Sequence, residues 1–342
     1  MSKPLKLEKK RFGEFVDVLL SRYWVFGPVE VDGVARFRRI ESADALKPGF
    51  PGTVESPKGV FFPQMETMLT GDRNEAASTS GPEEPIAIVG ARPCDARALL
   101  MLDRVFGTGE RTDPYWTRRY RDALVVVAGC TEPMAGCFCN WLGSGPFGRT
   151  GADIMLTDTG DAFVVEACSE KGSGFLEQAK GLSLSEASGE DQSKAEGVRS
   201  AAESAMPEKT DVSSLKEILD KSWDSPLWDR LAERCLSCAA CAYLCPTCHC
   251  FDIQDEKLPG TGRYRRIRIW DSCMAPLFTK EASGHNPRPA GRERLRQRVM
   301  HKFNYFVEAY NETACVGCGR CVRSCPVNID IREVLAEFVN AG

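Results

Sequence analysis

Two runs of cysteine have the spacing of iron–sulfur ligands. The pattern Cys-x2-Cys-x2-Cys-x3-Cys-Pro occurs once at residues 235–246 and again at residues 315–326. In bacterial two-cluster ferredoxins the first three thiolates of such a run hold one 4Fe-4S cluster, and the fourth ligates the other cluster. The spacing therefore predicts two 4Fe-4S clusters, the first held by Cys235, Cys238, Cys241 and Cys325 and the second by Cys315, Cys318, Cys321 and Cys245.

Composition favours metal binding over disulfides for the 16 cysteines of this 342-residue chain. The N-terminus lacks the apolar core of a signal peptide, and no stretch approaches the ~20 apolar residues of a membrane span. We therefore expect a cytoplasmic protein without membrane insertion, in a compartment where disulfides do not persist. Zinc is the alternative metal, but four-cysteine zinc sites generally use paired Cys-x2-Cys units. The net charge of −4 argues against nucleic acid as a main partner.

Four further cysteines indicate a third site in the first half of the chain. Cys94 lies where a predicted strand meets its helix, and Cys130 ends the next predicted strand. Both positions fall at the carboxyl edge of a parallel sheet, where α/β folds place their sites. Cys137 and Cys139 follow in the next loop. A third 4Fe-4S cluster is predicted on Cys94, Cys130, Cys137 and Cys139, with a four-thiolate zinc site or plain burial of the thiols as alternatives.

The remaining cysteines and an arginine-rich stretch have no assigned chemistry. Cys168 and Cys273 stand alone, and for Cys248, His249 and Cys250 we expect packing or hydrogen bonding around a cluster. A solvated face is the first interpretation of the arginines, and stabilisation of an anionic cluster or docking of an acidic partner is the second. These arginines are Arg263, Arg265, Arg266, Arg268, Arg292, Arg294, Arg296 and Arg298. No Ser-His-Asp arrangement, Walker loop or zinc-protease helix occurs in the sequence, so no catalytic residue is assigned.

The elements that position these cysteines indicate an α+β protein of two domains. In the first part we predict an amphipathic helix at about 10–24, a hairpin turning at Asp32 and Gly33, and a parallel βαβ unit over 86–128. Two more strands are predicted at 153–158 and 162–167. The predicted division is an α/β domain with a partly parallel sheet at 1–177, an exposed helix and linker at 178–213, and an all-α, helical ferredoxin-like domain at 214–342.

Short motifs along most of the chain resemble a known family. The family comprises the iron–sulfur β subunits of cytoplasmic NiFe sulfhydrogenases, the A subunit of anaerobic sulfite reductase, and the iron–sulfur subunit of flavin oxidoreductase–heterodisulfide reductase complexes. Besides both cysteine runs, the motifs are Ser56-Pro57-Lys58, Phe61-Phe62-Pro63, Arg92-Pro93-Cys94-Asp95, Cys130-Thr131-Glu132-Pro133, Cys137-Phe138-Cys139, Asp271-Ser272-Cys273-Met274 and Gly284-His285-Asn286-Pro287-Arg288.

The resemblance implies a non-catalytic electron-transfer subunit in the metabolism of an anaerobe. Its expected partners are a diaphorase-type subunit that binds a flavin and NAD(P), and a hydrogenase, heterodisulfide reductase or sulfite reductase subunit. Two alternatives stay open. In one, the chain is an enzyme subunit whose N-terminal cluster or thiols reduce sulfur or a disulfide directly. In the other, it is a metal-stabilised scaffold that joins subunits.

Overall fold

The computed structural model describes residues 3–46, 49, 52–72, 75–79, 82, 84–179 and 184–341. The strands are β1 Leu5–Glu8, β2 Trp24–Val31, β3 Val34–Arg39, β4 Met65–Gly71, β5 Ala76–Ser78, β6 Ile86–Ala91, β7 Leu124–Ala128, β8 Ile154–Asp158, β9 Ala162–Ala167, β10 Ser185–Glu186, β11 Phe251–Leu258 and β12 Arg263–Trp270. The helices are α1 Phe12–Leu20, α2 Lys58–Phe61, α3 Pro93–Phe106, α4 Pro114–Tyr120, α5 Glu170–Ala179, α6 Gly189–Ser204, α7 Leu215–Lys221, α8 Leu227–Ala232, α9 Ala240–Tyr243, α10 Gly291–Met300, α11 Phe306–Tyr310, α12 Arg320–Arg323 and α13 Ile331–Ala341. The predicted α+β class is confirmed.

A mixed sheet of eight strands forms the first part, in the order β10-β1-β9-β8-β7-β6-β2-β3. Its centre is parallel, since β2 pairs with β6, β6 with β7, and β7 with β8 in parallel register. Every residue of β6 and β7 is buried, as expected of central strands covered on both faces. Helix α3 connects these two strands, which confirms the predicted βαβ unit and the partly parallel sheet.

Local chemistry explains several of these elements. Asp32 and Gly33 have φ angles of 52° and 73°, and this pair of positive angles forms the tight turn of the β2–β3 hairpin. Helix α1 buries Phe15, Val16 and Leu19 against the sheet. It ends at Leu20, before the predicted limit of 24, because β2 already begins at Trp24.

Helices cover both faces of the large sheet and form two apolar cores. The core under α1 and α5 includes Phe15 and Phe175, and the core under α3 and α4 includes Leu99 and Trp116. The predicted linker at 178–213 is partly integrated into this fold, because β10 pairs with β1 and α6 buries Ala195 and Ala202. Most of α6 is exposed, as predicted, while residues 180–183 lie outside the described residues.

A second sheet overturns the expectation of an all-α domain at 214–342. Strands β11 and β12 form a hairpin, and β12 continues into β4 and β5 of the first part in the order β11-β12-β4-β5. The buried Arg268 fixes this junction, since its Nε donates to Glu66 at 2.8 Å and its Nη1 pairs with Asp113. Asp113 also caps α4 through the N–H groups of Tyr115 and Trp116. A buried ion-pair network of residues far apart in the sequence therefore holds the hairpin to the first part of the chain.

The rest of the C-terminal part is helical and has its own core. Trp228 and Phe338 pack at a tilt with ring centroids 4.4 Å apart, and Leu219, Val299 and Phe303 belong to the same core. Phe138 of the first part is buried in the same core. The two-domain division predicted from the sequence stays a prediction. Within the described ranges, no helix combines the length and apolar character needed to cross a membrane.

Candidate metal centres

The first predicted cluster set lines one cavity. Cys235 and Cys238 lie in the loop that leads into α9, Cys241 lies in the first turn of α9, and Cys325 reaches the same cavity from the loop after α12. Cys238 is exposed, whereas the other three thiols are partly buried. The structure thus brings the four predicted cysteines together at a site that opens to solvent.

The second predicted set lines a neighbouring, more enclosed cavity. Cys315, Cys318 and Cys321 come from the second run, and Cys245 enters from the first. Cys321 lines both cavities, so the two sites adjoin. The fourth cysteine of each run therefore lies with the first three of the other run, as the ferredoxin spacing predicts.

Backbone geometry shapes both loops around their thiols. Positive φ angles at Ser237 (54°) and Gly317 (64°) lie between the first and second cysteines of each run. The N–H of Ser237 donates to Cys235 Sγ at 3.4 Å, and the N–H of Ile329 donates to Cys325 Sγ at 3.2 Å. Hydrogen bonds to sulfur orient thiolate ligands and tune a bound cluster.

The third predicted set lies at the carboxyl edge of the large sheet. Cys94 is in the first turn of α3, Cys130 follows β7, and Cys137 and Cys139 belong to the next loop. Burial raises the pKa of Cys130 to about 11, with the nearby sulfur of Cys137 adding to it, and raises that of Cys139 to about 12. Burial also raises the pKa of Cys94, whose neighbours include Cys130. Thiols this buried ionise only when a cation compensates them.

Direct contacts join the third site to the second. The N–H of Phe138 donates to the carbonyl oxygen of Gly317 at 2.8 Å, and the thiol of Cys137 donates to the carbonyl oxygen of Cys318 at 3.7 Å. Cys94 and Cys318 pack around the same small apolar group. The three predicted sites are therefore neighbours in the order third, second, first.

Two buried cations from one helical segment lie at these sites, Arg298 beside both cavities and Lys302 beside the second. Arg298 is 4% exposed and lines both cavities. Lys302 is 3% exposed, and its Nζ donates to Cys245 Sγ at 3.3 Å, to Thr247 Oγ1 at 3.0 Å and to the Ala314 carbonyl oxygen at 2.8 Å. No carboxylate of the described residues forms an ion pair with either cation.

Nearby sulfurs favour these two charges. Burial opposes the charged form of both groups, but the surrounding cysteines, Cys241 first for Arg298 and Cys245 first for Lys302, outweigh it and raise both pKa values. A buried cation without a carboxylate partner needs another anion nearby. An anionic group held by thiolates in these cavities fits that requirement, which is the strongest observation that the residues suit a cluster.

Two further buried cations connect the sites to the first part of the chain. Arg320, between Cys318 and Cys321, forms a buried pair with Asp95 at 2.7 Å, and Asp95 also accepts from the N–H of Arg92 at the start of α3. Lys58 donates to the carbonyl oxygens of Cys245 at 3.0 Å and Cys248 at 2.9 Å. Isolated basic residues have no diagnostic spacing, so spacing alone could not assign Arg320, Lys58 or Lys302 to the sites.

The cysteines left over by the sequence fall into three situations. Cys248 accepts from Arg298 at 3.7 Å and lies beside Cys245, a predicted ligand. Cys250 packs against the buried group that contains Cys273, and the neighbouring Cys273 lowers the pKa of Cys250 to about 6. Cys168 packs on the core under α3, far along the chain from all three sets.

The histidine next to Cys248 is structural. Burial lowers the pKa of His249 to about 4, so the ring is neutral, and its Nδ1 lies 3.0 Å from the carbonyl oxygen of Thr247. Its ring packs edge-on against His301 and Phe106. Within the described residues, no three His, Cys, Asp or Glu side chains converge tightly enough to hold one metal ion. The thiols of the first two sets line cavities instead of meeting at one point.

The arginine-rich stretch divides between surface and interior. Arg263 and Arg266 are exposed on the hairpin, in agreement with a solvated face. Arg268, Arg294 and Arg298 are buried. Of these three, only Arg298 lines the two cavities. Its position agrees with the second interpretation, in which an arginine stabilises an anionic cluster.

Comparison with known proteins agrees with this geometry. Residues 234–329 match the family model described as a 4Fe-4S dicluster domain. The chain is 32% identical to the sulfhydrogenase 2 subunit beta of Pyrococcus furiosus over 335 residues, which cover 97% of each chain. This chain belongs to the iron–sulfur β subunit family. Membership of this family supports an iron–sulfur role in electron transfer for this chain, with clusters of the 4Fe-4S type as its cofactors.

Proposed function

We propose that this chain is a non-catalytic electron-transfer subunit of an oxidoreductase complex, with 4Fe-4S clusters on the two exchanged cysteine sets and on the N-terminal set. One observation carries the proposal: each of two adjoining cavities is lined by three cysteines of one run and the fourth cysteine of the other. When bound, 4Fe-4S clusters supply one-electron oxidation and reduction.

The residues around the thiols have defined tasks in this proposal. The exchanged Cys245 and Cys325 fasten the two runs to each other. Lys302 donates to a ligand sulfur of the second site, and Arg298 supplies positive charge to both sites. Such donors and charges favour the more negative, reduced state and raise the potential.

The order of the sites supports a relay of three stations. Third and second sites share the Phe138–Gly317 hydrogen bond, while second and first share Arg298 and Cys321. At the far end, Cys238 is exposed, and the neighbouring Leu236 is 65% exposed. This accessible end of the first site is where a partner's redox group would approach closely.

The proposed partners are a diaphorase-type subunit that binds a flavin and NAD(P), and a catalytic hydrogenase, heterodisulfide reductase or sulfite reductase subunit. Support comes from the relative in Pyrococcus furiosus, which is a sulfhydrogenase subunit. Among these partners, the name of that relative favours a hydrogenase.

Purification of the intact complex under anaerobic conditions tests the proposal. We expect co-purifying flavin and catalytic subunits, and reduction of the 4Fe-4S EPR signals of this chain when the complex receives NAD(P)H. The chain purified alone should accept single electrons but show no turnover with hydrogen, sulfite, sulfur or a disulfide. Turnover by the chain alone that is lost in Cys94→Ala or Cys139→Ala would favour the enzyme alternative and contradict the relay.

A further inference from the structure

Two cysteines outside the three predicted sets lie at the open end of the β11–β12 hairpin, opposite its turn. Cys250 immediately precedes β11, and Cys273 follows β12 by three residues. Phe251 pairs with Trp270 in the hairpin, and the N–H of Asp271 donates to the carbonyl oxygen of Cys250 at 3.0 Å. Ordinary strand pairing therefore brings these two cysteines together.

Their side chains belong to one small packed group. Cys273 is 7% exposed and packs with Ala239 and Met274, while Cys250 lies against this group and is partly exposed. Disulfides require close Cβ atoms and a specific torsion, and two thiols that pack in one small group at paired strand ends need only a limited rearrangement to form one.

The same buried group touches the first cluster site. Cys235 and Cys241, two of the four cysteines of that site, pack against it. Met274 both belongs to the group and lines the first cavity. Electrons leaving the Cys250–Cys273 pair thus have a contact path of a few side chains to the nearest station.

We propose that Cys250 and Cys273 form a redox-active dithiol coupled to the first cluster site. On oxidation an S–S bond forms, the two S–H bonds break, two protons pass to solvent past the partly exposed Cys250, and two electrons are released. Their acceptors are two one-electron carriers of the 4Fe-4S class, so this inference rests on the proposed function. The dithiol links two-electron chemistry to a one-electron relay.

The test uses the full chain isolated anaerobically with its metal content intact. Samples reduced by a strong one-electron reductant, or oxidised by an excess of a one-electron acceptor, are denatured, alkylated and analysed as peptides by mass spectrometry. Coulometric titration counts the electrons per chain in the wild type, Cys250→Ser and Cys273→Ser. Cys168→Ser is the matched control, because that cysteine lies on another core.

We expect a Cys250–Cys273 disulfide in the oxidised sample and free thiols at both positions in the reduced one. Each serine variant should take up about two electrons fewer than the wild type, with unchanged iron, and the control should match the wild type. Free thiols in both states with an unchanged electron count would overturn the inference. So would a loss of iron in either variant, because the residues would then be ligands. A wild-type chain without iron would instead refute the proposed function itself.

Discussion

Replacing Lys302 by Met tests whether a buried cation sets the potential of the second site. The ammonium group lies 3.3 Å from Cys245 Sγ and has no carboxylate partner among the described residues. Methionine retains most of the apolar volume and removes the charge. Because reduction adds negative charge, loss of the neighbouring positive charge disfavours the reduced state and lowers the potential.

The size of the shift follows from Coulomb's law. With the charge about 5 Å from the centre of the added electron and an effective dielectric constant of about 20, the interaction is about 3 kcal/mol. At about 2.3 kcal/mol per 100 mV, this corresponds to a decrease of roughly 140 mV at the second site. The first site should shift less, since Lys302 lines only the second cavity.

EPR-monitored redox titration of the isolated chain measures this shift. Iron and sulfide content are determined first, to show that the variant retains its clusters. Lys302→Arg keeps the charge and should stay close to the wild-type potential, and Lys257→Met removes a charge from the exposed surface of β11, where solvent screens it. A second-site potential that is unchanged in Lys302→Met, or lowered equally in Lys257→Met, would refute the reasoning.

Four other substitutions test the predicted ligands and one buried ion pair. Cys325→Ala should remove the first cluster and Cys245→Ala the second, each with about four irons lost and with the EPR signal of the other cluster retained. Loss of the second cluster in Cys325→Ala, or of the first in Cys245→Ala, would show instead that each run holds its own cluster. Cys139→Ala should remove about four irons and one EPR signal from the third site. An unchanged iron content would show that those thiols are buried without binding a cluster. Asp95→Asn leaves the Arg320 guanidinium buried without its carboxylate and should lower the free energy of unfolding by about 3–5 kcal/mol in anaerobic denaturant titrations; a change below about 1 kcal/mol would show that the pair contributes little.

Local patterns explain which features the sequence could predict. The predicted exchange of Cys245 and Cys325, which agrees with the cavities that they line, rests on ligand spacing within each run, and the βαβ unit follows from two short apolar runs around a helix. The hairpin turn needed only the positive φ angles that Asp32 and Gly33 adopt easily. Each of these signals lies within a few dozen residues of the chain.

Long-range pairing explains what the sequence could not predict. The second hairpin was missed because β12 is rich in arginine, and its Arg268 is buried only through Glu66 and Asp113 of the first part. Lys302 and Lys58 likewise gain their roles from sulfur and carbonyl groups that tertiary packing brings to them. The position of a single lysine in a sequence does not predict which groups it contacts in the folded protein.

The iron, acid-labile sulfide and zinc content of the anaerobically isolated full chain tests the central claim most directly. Three 4Fe-4S sites predict about 12 iron and about 12 sulfide per chain with no stoichiometric zinc, and EPR signals that appear on reduction. About 8 iron would remove the third site and leave the two exchanged sets. Bound zinc without iron would contradict the account.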